Sequence, residues 1–407
     1  MIEKQKCNDL VRFGGTPVFA EPLHVGRPNI GDREALMGRL NDILDRRWLT
    51  NRGVYVREFE ERVADTVGAR HCIAMANGTV ALEIAIRAAG LSGEVIVPSF
   101  TFIATAHALG WQEITPVFCD IDPTTHLIDP ERVEALITPR TTGILGVHLW
   151  GHACDVERLR EIADRRKLAL LFDGAHAFGS CHHGGAMVGN LGDAEMLSFH
   201  ATKFLNAFEG GAVLTNNDDL ASRIRLMKNF GFAGYDDVIY IGTNGKMSEP
   251  SAAMGLTSLE SMDAFIDVNR CNYEAYRRLL PDGDGLRLLP HEHVDGERCN
   301  YQYIVCEVDE EEAGIGRDEV MELLWAENVL ARRYFYPGCH RMEPYRSYFP
   351  HAGLVLPQTE LLTERVLNLP TGTAVGEEDI ARICRLLGFI LDHALEIRTR
   401  LRDAAVA

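Results

Sequence analysis

Ser198-Phe-His-Ala-Thr-Lys-Phe-Leu-Asn-Ala-Phe-Glu-Gly-Gly211 follows one short apolar run, Glu195-Met-Leu-Ser-Phe199, and leads into another, Ala212-Val-Leu-Thr215. Runs of that length bounded by turn residues read as buried strands, which places Lys203 in the turn between them. A lone lysine in a turn is ordinarily a solvated charge. This one has company: the Ser198 hydroxyl ahead of it and the Gly210-Gly211 pair behind it. A lysine amine forms a Schiff base with an aldehyde when its surroundings lower its pKa and fix its position.

Working outward, the matching parts lie at other strand ends. Asp173 closes the apolar run Leu168-Ala-Leu-Leu-Phe172, and ligands of open parallel sheets collect at the carboxyl ends of strands. A carboxylate there can keep a pyridine nitrogen protonated, the form in which the ring accepts electrons. His176, three residues on, could bond the ring oxygen or the imine region, and Phe102, in Pro98-Ser-Phe-Thr-Phe102, offers an aromatic face for stacking. Asn77-Gly-Thr79 joins a strand to a helix, where free N–H groups and the Thr79 hydroxyl suit a phosphate and Gly78 permits close approach. Taken singly, these are an ordinary cap, a loop aspartate, a core histidine and a core phenylalanine. Together they mark Lys203 as the anchor of pyridoxal 5′-phosphate, with Ser198 closing on the same phosphate.

The rest of the chain supplies a frame for such a site. Strands expected at 71–75, 94–97, 115–119, 143–147 and 168–172 alternate with helices at 80–89, 101–109, 130–137 and 155–166, ahead of the runs flanking Lys203. That alternation predicts an α/β fold with a mostly parallel sheet covered on both faces. Earlier helices are expected at 28–45, capped by Asp32, and at 55–67, with Phe59, Val63 and Val67 on one face. A long helical stretch at 250–280 leads to a smaller α+β domain, with a strand at 300–308 and helices at 317–327 and 377–397. The expected division is an arm over 1–27, a cofactor-binding large domain over 28–265 and a small domain over 266–407.

Composition narrows the function. The 407 residues are 46% hydrophobic, enough for two cores, and the formal charge is -18 without a basic stripe. Nucleic acid is therefore excluded as main partner, since neutralising phosphates needs clustered lysine and arginine. Ten cysteines without a Cys-x-x-Cys pair suggest reduced thiols, not disulfides or zinc. His182-His183 and His291-Glu-His293 lack partners at ligand spacing, so no metal is expected. Met1-Ile-Glu-Lys-Gln-Lys6 lacks an apolar signal core and no window reaches membrane-spanning length, which points to a cytoplasmic enzyme with no membrane partner.

Four motifs in order resemble the DegT/DnrJ/StrS family of nucleotide-sugar aminotransferases, within the fold-type I group that includes aspartate aminotransferase. They are Asn77-Gly-Thr-Val-Ala-Leu82, Glu94-Val-Ile-Val-Pro-Ser-Phe-Thr-Phe102, Phe172-Asp-Gly-Ala-His-Ala-Phe-Gly179 and the stretch from Ser198 to Gly211. The resemblance implies that Lys203 carries the cofactor, Asp173 partners the pyridinium, His176 neighbours the ring hydroxyl and Phe102 stacks. Gly78, Thr79 and Ser198 would hold the phosphate. Gly242-Thr-Asn-Gly-Lys-Met-Ser-Glu249 resembles a segment reaching into a second subunit, which implies a homodimer with shared sites in which Asn244, or less directly Lys246, donates to the partner's phosphate. Trp48-Leu-Thr-Asn51 and Arg332-Arg-Tyr-Phe-Tyr-Pro337 resemble regions lining the sugar-nucleotide pocket.

The family chemistry moves an amino group from glutamate to a keto sugar nucleotide in deoxyamino-sugar and antibiotic biosynthesis. His200-Ala201 resembles the 4-aminating members; the 3-aminating ones tend to carry Tyr-Pro there. The expected acceptor is dTDP-4-keto-6-deoxy-D-glucose and the product dTDP-4-amino-4,6-dideoxy-D-glucose. The alternatives are amination of a 3-keto sugar, a cyclitol- or aminohydroxybenzoate-forming relative, and a non-catalytic sensor that binds cofactor or sugar. Related dehydratases carry histidine in place of the lysine, and Lys203 weighs against them.

Overall fold

The computed structural model describes every residue except 1–3, 183, 282, 284, 292–297 and 407, together with the side chains of 404–406. Met1 to Glu3 of the opening segment, and His183, Glu292 and His293 of the two histidine pairs, therefore lie outside the described residues. The strands are β1 (Leu23–His24), β2 (His71–Met75), β3 (Glu94–Pro98), β4 (Thr115–Cys119), β5 (Thr141–Val147), β6 (Ala169–Asp173), β7 (Ala194–Ser198), β8 (Gly211–Thr215), β9 (Leu286–Leu288), β10 (Ile304–Val308), β11 (Val329–Leu330) and β12 (Val366–Leu369).

A seven-stranded sheet runs in the order β2-β8-β7-β6-β5-β3-β4. Strand β8 is antiparallel to both neighbours, and the pairs from β7 through to β4 are all parallel. The reversal has a local cause. The Lys203 stretch joins β7 to β8 directly, without a crossover helix, and a connection of that kind returns the chain antiparallel. Its ends meet again at one edge of the sheet, where Gly211 pairs with both Ser198 and Met75. A side chain on Gly211 would lie 2.5 Å from the Asn77 carbonyl, so only glycine lets the turn before the next helix close against it.

Along the chain the first helices are α1 (Arg33–Arg46), α2 (Val54–Val67), α3 (Gly78–Ala88), α4 (Ile103–Gly110), α5 (Pro130–Leu136), α6 (Val156–Arg166), α7 (Asp218–Met227), α8 (Glu249–Glu260) and α9 (Met262–Leu279). Helices α3, α4 and α7 bury Leu82, Ile86, Leu109 and Ile224 on one face of the sheet. Helix α2 packs on the opposite face, where Phe59 is fully buried and meets Phe199 edge-on at 5.2 Å. Burial of such a ring contributes roughly 1.5–3 kcal/mol. The N-terminus of α2 has no capping side chain of its own; the buried Glu249 carboxylate accepts from Tyr55 N at 2.9 Å and Val56 N at 3.1 Å.

Asp32 caps α1 as expected, accepting from the N–H groups of Glu34 and Ala35, although the helix begins at Arg33 and not at residue 28. The expected helix at 250–280 is two, α8 and α9, broken at Ser261. A second core lies beyond it, built on an antiparallel sheet in the order β12-β10-β9. Residues from α9 and from the helices Arg317–Ala326 and Glu377–Asp392 cover it. The expected division after residue 265 falls inside α9. The opening segment is no free arm: Cys7, Leu10, Val18 and Phe19 are buried in this second core, and β1 pairs in parallel with β11. Glu327, itself buried, accepts from Val11 N and Val18 N at 2.8 Å each and meets Lys4 Nζ at 2.8 Å.

Candidate active site

Strands β3, β6 and β7 end at one edge of the large sheet, and that edge gathers most of the expected residues. Asp173 is the last residue of β6. Its Oδ2 accepts from Thr105 Oγ1 at 2.8 Å and its Oδ1 from Ala175 N at 3.1 Å. Burial pushes the carboxyl pKa up, while Thr105, the Ala175 N–H and the Lys203 ammonium act against that rise. Thr105 is itself 3.0 Å from Thr101 Oγ1, so two hydroxyls from the start of α4 set the carboxylate's position.

Lys203 is half-buried in the β7–β8 connection, with its backbone N–H turned to the His200 carbonyl at 2.9 Å. Desolvation lowers its pKa to about 8, against the attraction of Asp173. At pH 7 roughly a tenth of the amine is then neutral, far more than for an ordinary lysine. Nζ donates to the Tyr303 hydroxyl at 3.3 Å.

His176 is buried in an aromatic box, with ring centroids at 4.4 Å to Tyr303, 5.6 Å to Trp150 and 5.7 Å to Phe335. Burial, reinforced by Lys203, lowers its pKa well below the ordinary value, so the ring is neutral. Its Nδ1 is buried and has no hydrogen-bond partner in the protein. A buried polar atom left in that state calls for a ligand.

At the other side of the cleft, Asn77 caps α3 by accepting from Val80 N at 2.9 Å, which leaves Gly78 and Thr79 at the opening of the helix. Gly78 stands against β7: a Cβ there would lie 3.2 Å from Ser198 Cβ and 3.3 Å from Ser198 Oγ. The fold thus joins the helix opening and the Ser198 hydroxyl into one seat. Phe102, the N-cap residue of α4, is 59% exposed at the rim. Asn244 is exposed too, on a segment laid beside the turn that leads into α3, where Ala76 N donates to the Gly245 carbonyl at 2.8 Å. Lys246 on the same segment donates to Asn229 Oδ1 at 3.0 Å.

Three contributors escaped the reading of the sequence. Thr105 follows Phe102 by less than a turn and could have been found by asking what holds Asp173. Tyr303 and Asn300 come from the far side of α9, and no local pattern marks them. Asn300 Nδ2 donates to the carbonyls of His176 and Phe178 at 2.9 Å each, tying the second core to the His176 turn.

The residues fit pyridoxal phosphate. A poised amine, a buried carboxylate, a neutral imidazole with an open nitrogen and a glycine-lined helix opening are the donor set such a molecule needs.

The chain is 35% identical to the dTDP-4-amino-4,6-dideoxy-D-glucose transaminase of Escherichia coli over 365 residues, 90% of this chain and 98% of that protein. It is 39% identical to the Shigella dysenteriae protein of the same name over 326 residues, 80% of this chain and 88% of that one. The crystal structure of DesI in the presence of its TDP-sugar product superimposes with a TM-score of 0.93 at 52% identity, covering 98% of this chain and 100% of DesI. The fold is accordingly the fold-type I architecture expected from the motifs. The model of the DegT/DnrJ/EryC1/StrS aminotransferases matches residues 31–388, which include every candidate site residue named above, and the chain belongs to that family.

Proposed function

We propose that the protein is a pyridoxal phosphate-dependent aminotransferase that moves the amino group of glutamate to the 4-keto carbon of dTDP-4-keto-6-deoxy-D-glucose, giving dTDP-4-amino-4,6-dideoxy-D-glucose. The observation that carries the chemistry is the meeting of a pKa-lowered Lys203 amine with buried Asp173 and His176 at one strand edge. The names borne by the two transaminases support the acceptor and the carbon aminated.

When bound, the cofactor supplies an aldehyde that condenses with amines and a cationic ring that takes up electron density. Gly78, Thr79 and Ser198 would hold its phosphate, with Asn244 of a second subunit completing the seat, and Phe102 would stack on the ring. Asp173 would supply the carboxylate that keeps the ring nitrogen protonated, and Thr105 holds that carboxylate in place. His176 donates or accepts at the ring oxygen through the nitrogen that lacks a partner in the protein. With the cofactor bound, Lys203 would be the base that moves a proton at the donor's Cα. The same amine would serve as acid towards the keto sugar.

Support for a dimer comes from the surface around Asn244. Phe232, Val238, Ile239 and Ile241 are all exposed in the single chain, with Ile241 at 77%. Apolar side chains crowded into one stretch mark an interface. For localisation, among the described residues no helix is long and apolar enough to cross a membrane.

The test offers purified enzyme the 3-keto and the 4-keto isomers of the dTDP-sugar with glutamate and assigns the aminated carbon by NMR. Amination at carbon 4 is expected; exclusive amination at carbon 3 overturns the assignment.

A further inference from the structure

Tyr303 has no part in the reading above, yet it reaches the centre of the site. It ends an irregular segment just before β10, in which Tyr301 adopts φ 47°. Asn300 pins that segment: besides its bonds to the His176 and Phe178 carbonyls, its Oδ1 accepts from Gln302 N at 3.0 Å and its N–H donates to Ser180 Oγ at 3.1 Å. Held this way, the Tyr303 ring packs 5.3 Å from Trp150 and 4.4 Å from His176 and is 7% exposed. Its hydroxyl ends 3.3 Å from Lys203 Nζ. A residue from beyond α9, buried beside the large sheet, thus touches the reacting nitrogen on the β7–β8 connection.

We infer that Tyr303 is the residue that positions the Lys203 amine, its hydroxyl oxygen accepting a hydrogen bond that is strongest when the lysine carries the extra proton. The inference rests on the role given to Lys203 above. A neutral amine and a phenol can bond in either sense, whereas an ammonium can only donate. The charge-assisted bond is roughly twice as strong as the neutral one. When Lys203 takes up a proton from carbon, the C–H electron pair stays with the carbon framework, the proton binds the Nζ lone pair, and the Tyr303 O–H bond remains intact. The hydroxyl's part is to aim the lone pair beforehand and hold the ammonium afterwards. The other groups facing Nζ are Asp173 at the end of β6 and His176 on the turn that follows; Tyr334 lies behind the Tyr303 ring at 6.2 Å. Of these, Asp173 favours the ammonium in the same sense as Tyr303.

The experiment uses Tyr303→Phe, which keeps the ring. In cofactor-free protein, the acylation rate of the Lys203 peptide is followed by mass spectrometry against pH. Loss of the hydroxyl is expected to lower the pH of half-reactivity by about one unit. In the loaded enzyme kcat should fall about tenfold while KM for the amino donor moves less than about threefold. An unchanged half-reactivity pH overturns the inference. Should the phenylalanine variant fail to fold, 3-fluorotyrosine placed at 303 keeps both ring and hydroxyl but accepts more weakly, and must shift the half-point the same way by less; no shift overturns it equally. Borohydride reduction of the wild-type loaded enzyme, followed by peptide mapping, separates the two levels. A pyridoxyl label on another lysine defeats the reading of Lys203 itself, whereas a label on Lys203 with an unmoved half-point defeats only the role of Tyr303.

Discussion

Thr105 Oγ1 donates to Asp173 Oδ2 at 2.8 Å, from the first turn of α4 to the last residue of β6. The carboxylate is buried, and burial alone raises its pKa. Thr105 is one of only a few groups resisting that rise. Thr105→Val removes the donor while keeping the volume, and a hydrogen bond to a charged group is worth about 1.5–3 kcal/mol. We expect kcat to fall at least tenfold and cofactor affinity to weaken, with Thr105→Ser retaining most of both. Steady-state kinetics with glutamate check this, and an unimpaired valine variant would remove Thr105 from the account.

Gly78→Ala probes the phosphate seat. The added methyl would stand 3.1 Å from Met196 Sδ and 3.3 Å from Ser198 Oγ, closer than ordinary contact. The residue is helical, so the cost is crowding and not backbone conformation. Titration of the cofactor-free protein should show affinity for pyridoxal phosphate reduced about tenfold or more, and combining the change with Ser198→Ala should add little, since both act on one seat. Full additivity would mean that the two residues serve separate ends.

Lys203 makes the cofactor-free protein less stable than it needs to be. Its folded pKa of about 8 lies below the ordinary lysine value of 10.5, so between those values the unfolded chain binds more protons and stability rises with pH. The penalty is fully present below pH 8 and has gone above about pH 10.5. Lys203→Met should therefore raise the stability of cofactor-free protein at pH 7 by about 1 kcal/mol or more. The gain should shrink as pH climbs through that window in urea titrations. A gain that does not depend on pH would point to packing instead.

Shared sites can be tested by mixing. Lys203→Ala should be inactive and Asn244→Ala weakly active through poor cofactor retention. Refolded together, half the dimers are mixed and each holds one site with both residues intact, so about one quarter of wild-type activity should return. No recovery would show that Asn244 acts within its own chain or not at all.

The large sheet was legible because its strands are buried on both faces and read as unbroken apolar runs, such as Val95-Ile-Val97 and Leu168-Ala-Leu-Leu-Phe172. Direction was not: nothing in Ala212-Val-Leu-Thr215 says that β8 runs backwards, because direction follows from the connection before it. Helix α7 went unread although Asn217 caps it and Leu220 and Ile224 form its buried stripe. The short strands β9 and β12 carry too few residues for any period to emerge. In the site, residues at strand ends could be found from their strands. Tyr303 could not: the expected strand at 300–308 starts only at Ile304, and the irregular residues before it turn the tyrosine towards the lysine.

Glu327 sets a practical limit in the second core. Amino termini are usually where a chain is most safely shortened, yet here the first stretch supplies two N–H donors and an ammonium to one buried carboxylate. Trimming back to about residue 20 would strand that anion in an apolar interior, at a cost of several kcal/mol. The opening segment is in effect a counter-ion for Glu327, and shortened versions should emerge as aggregates well before any loss of catalysis could be measured.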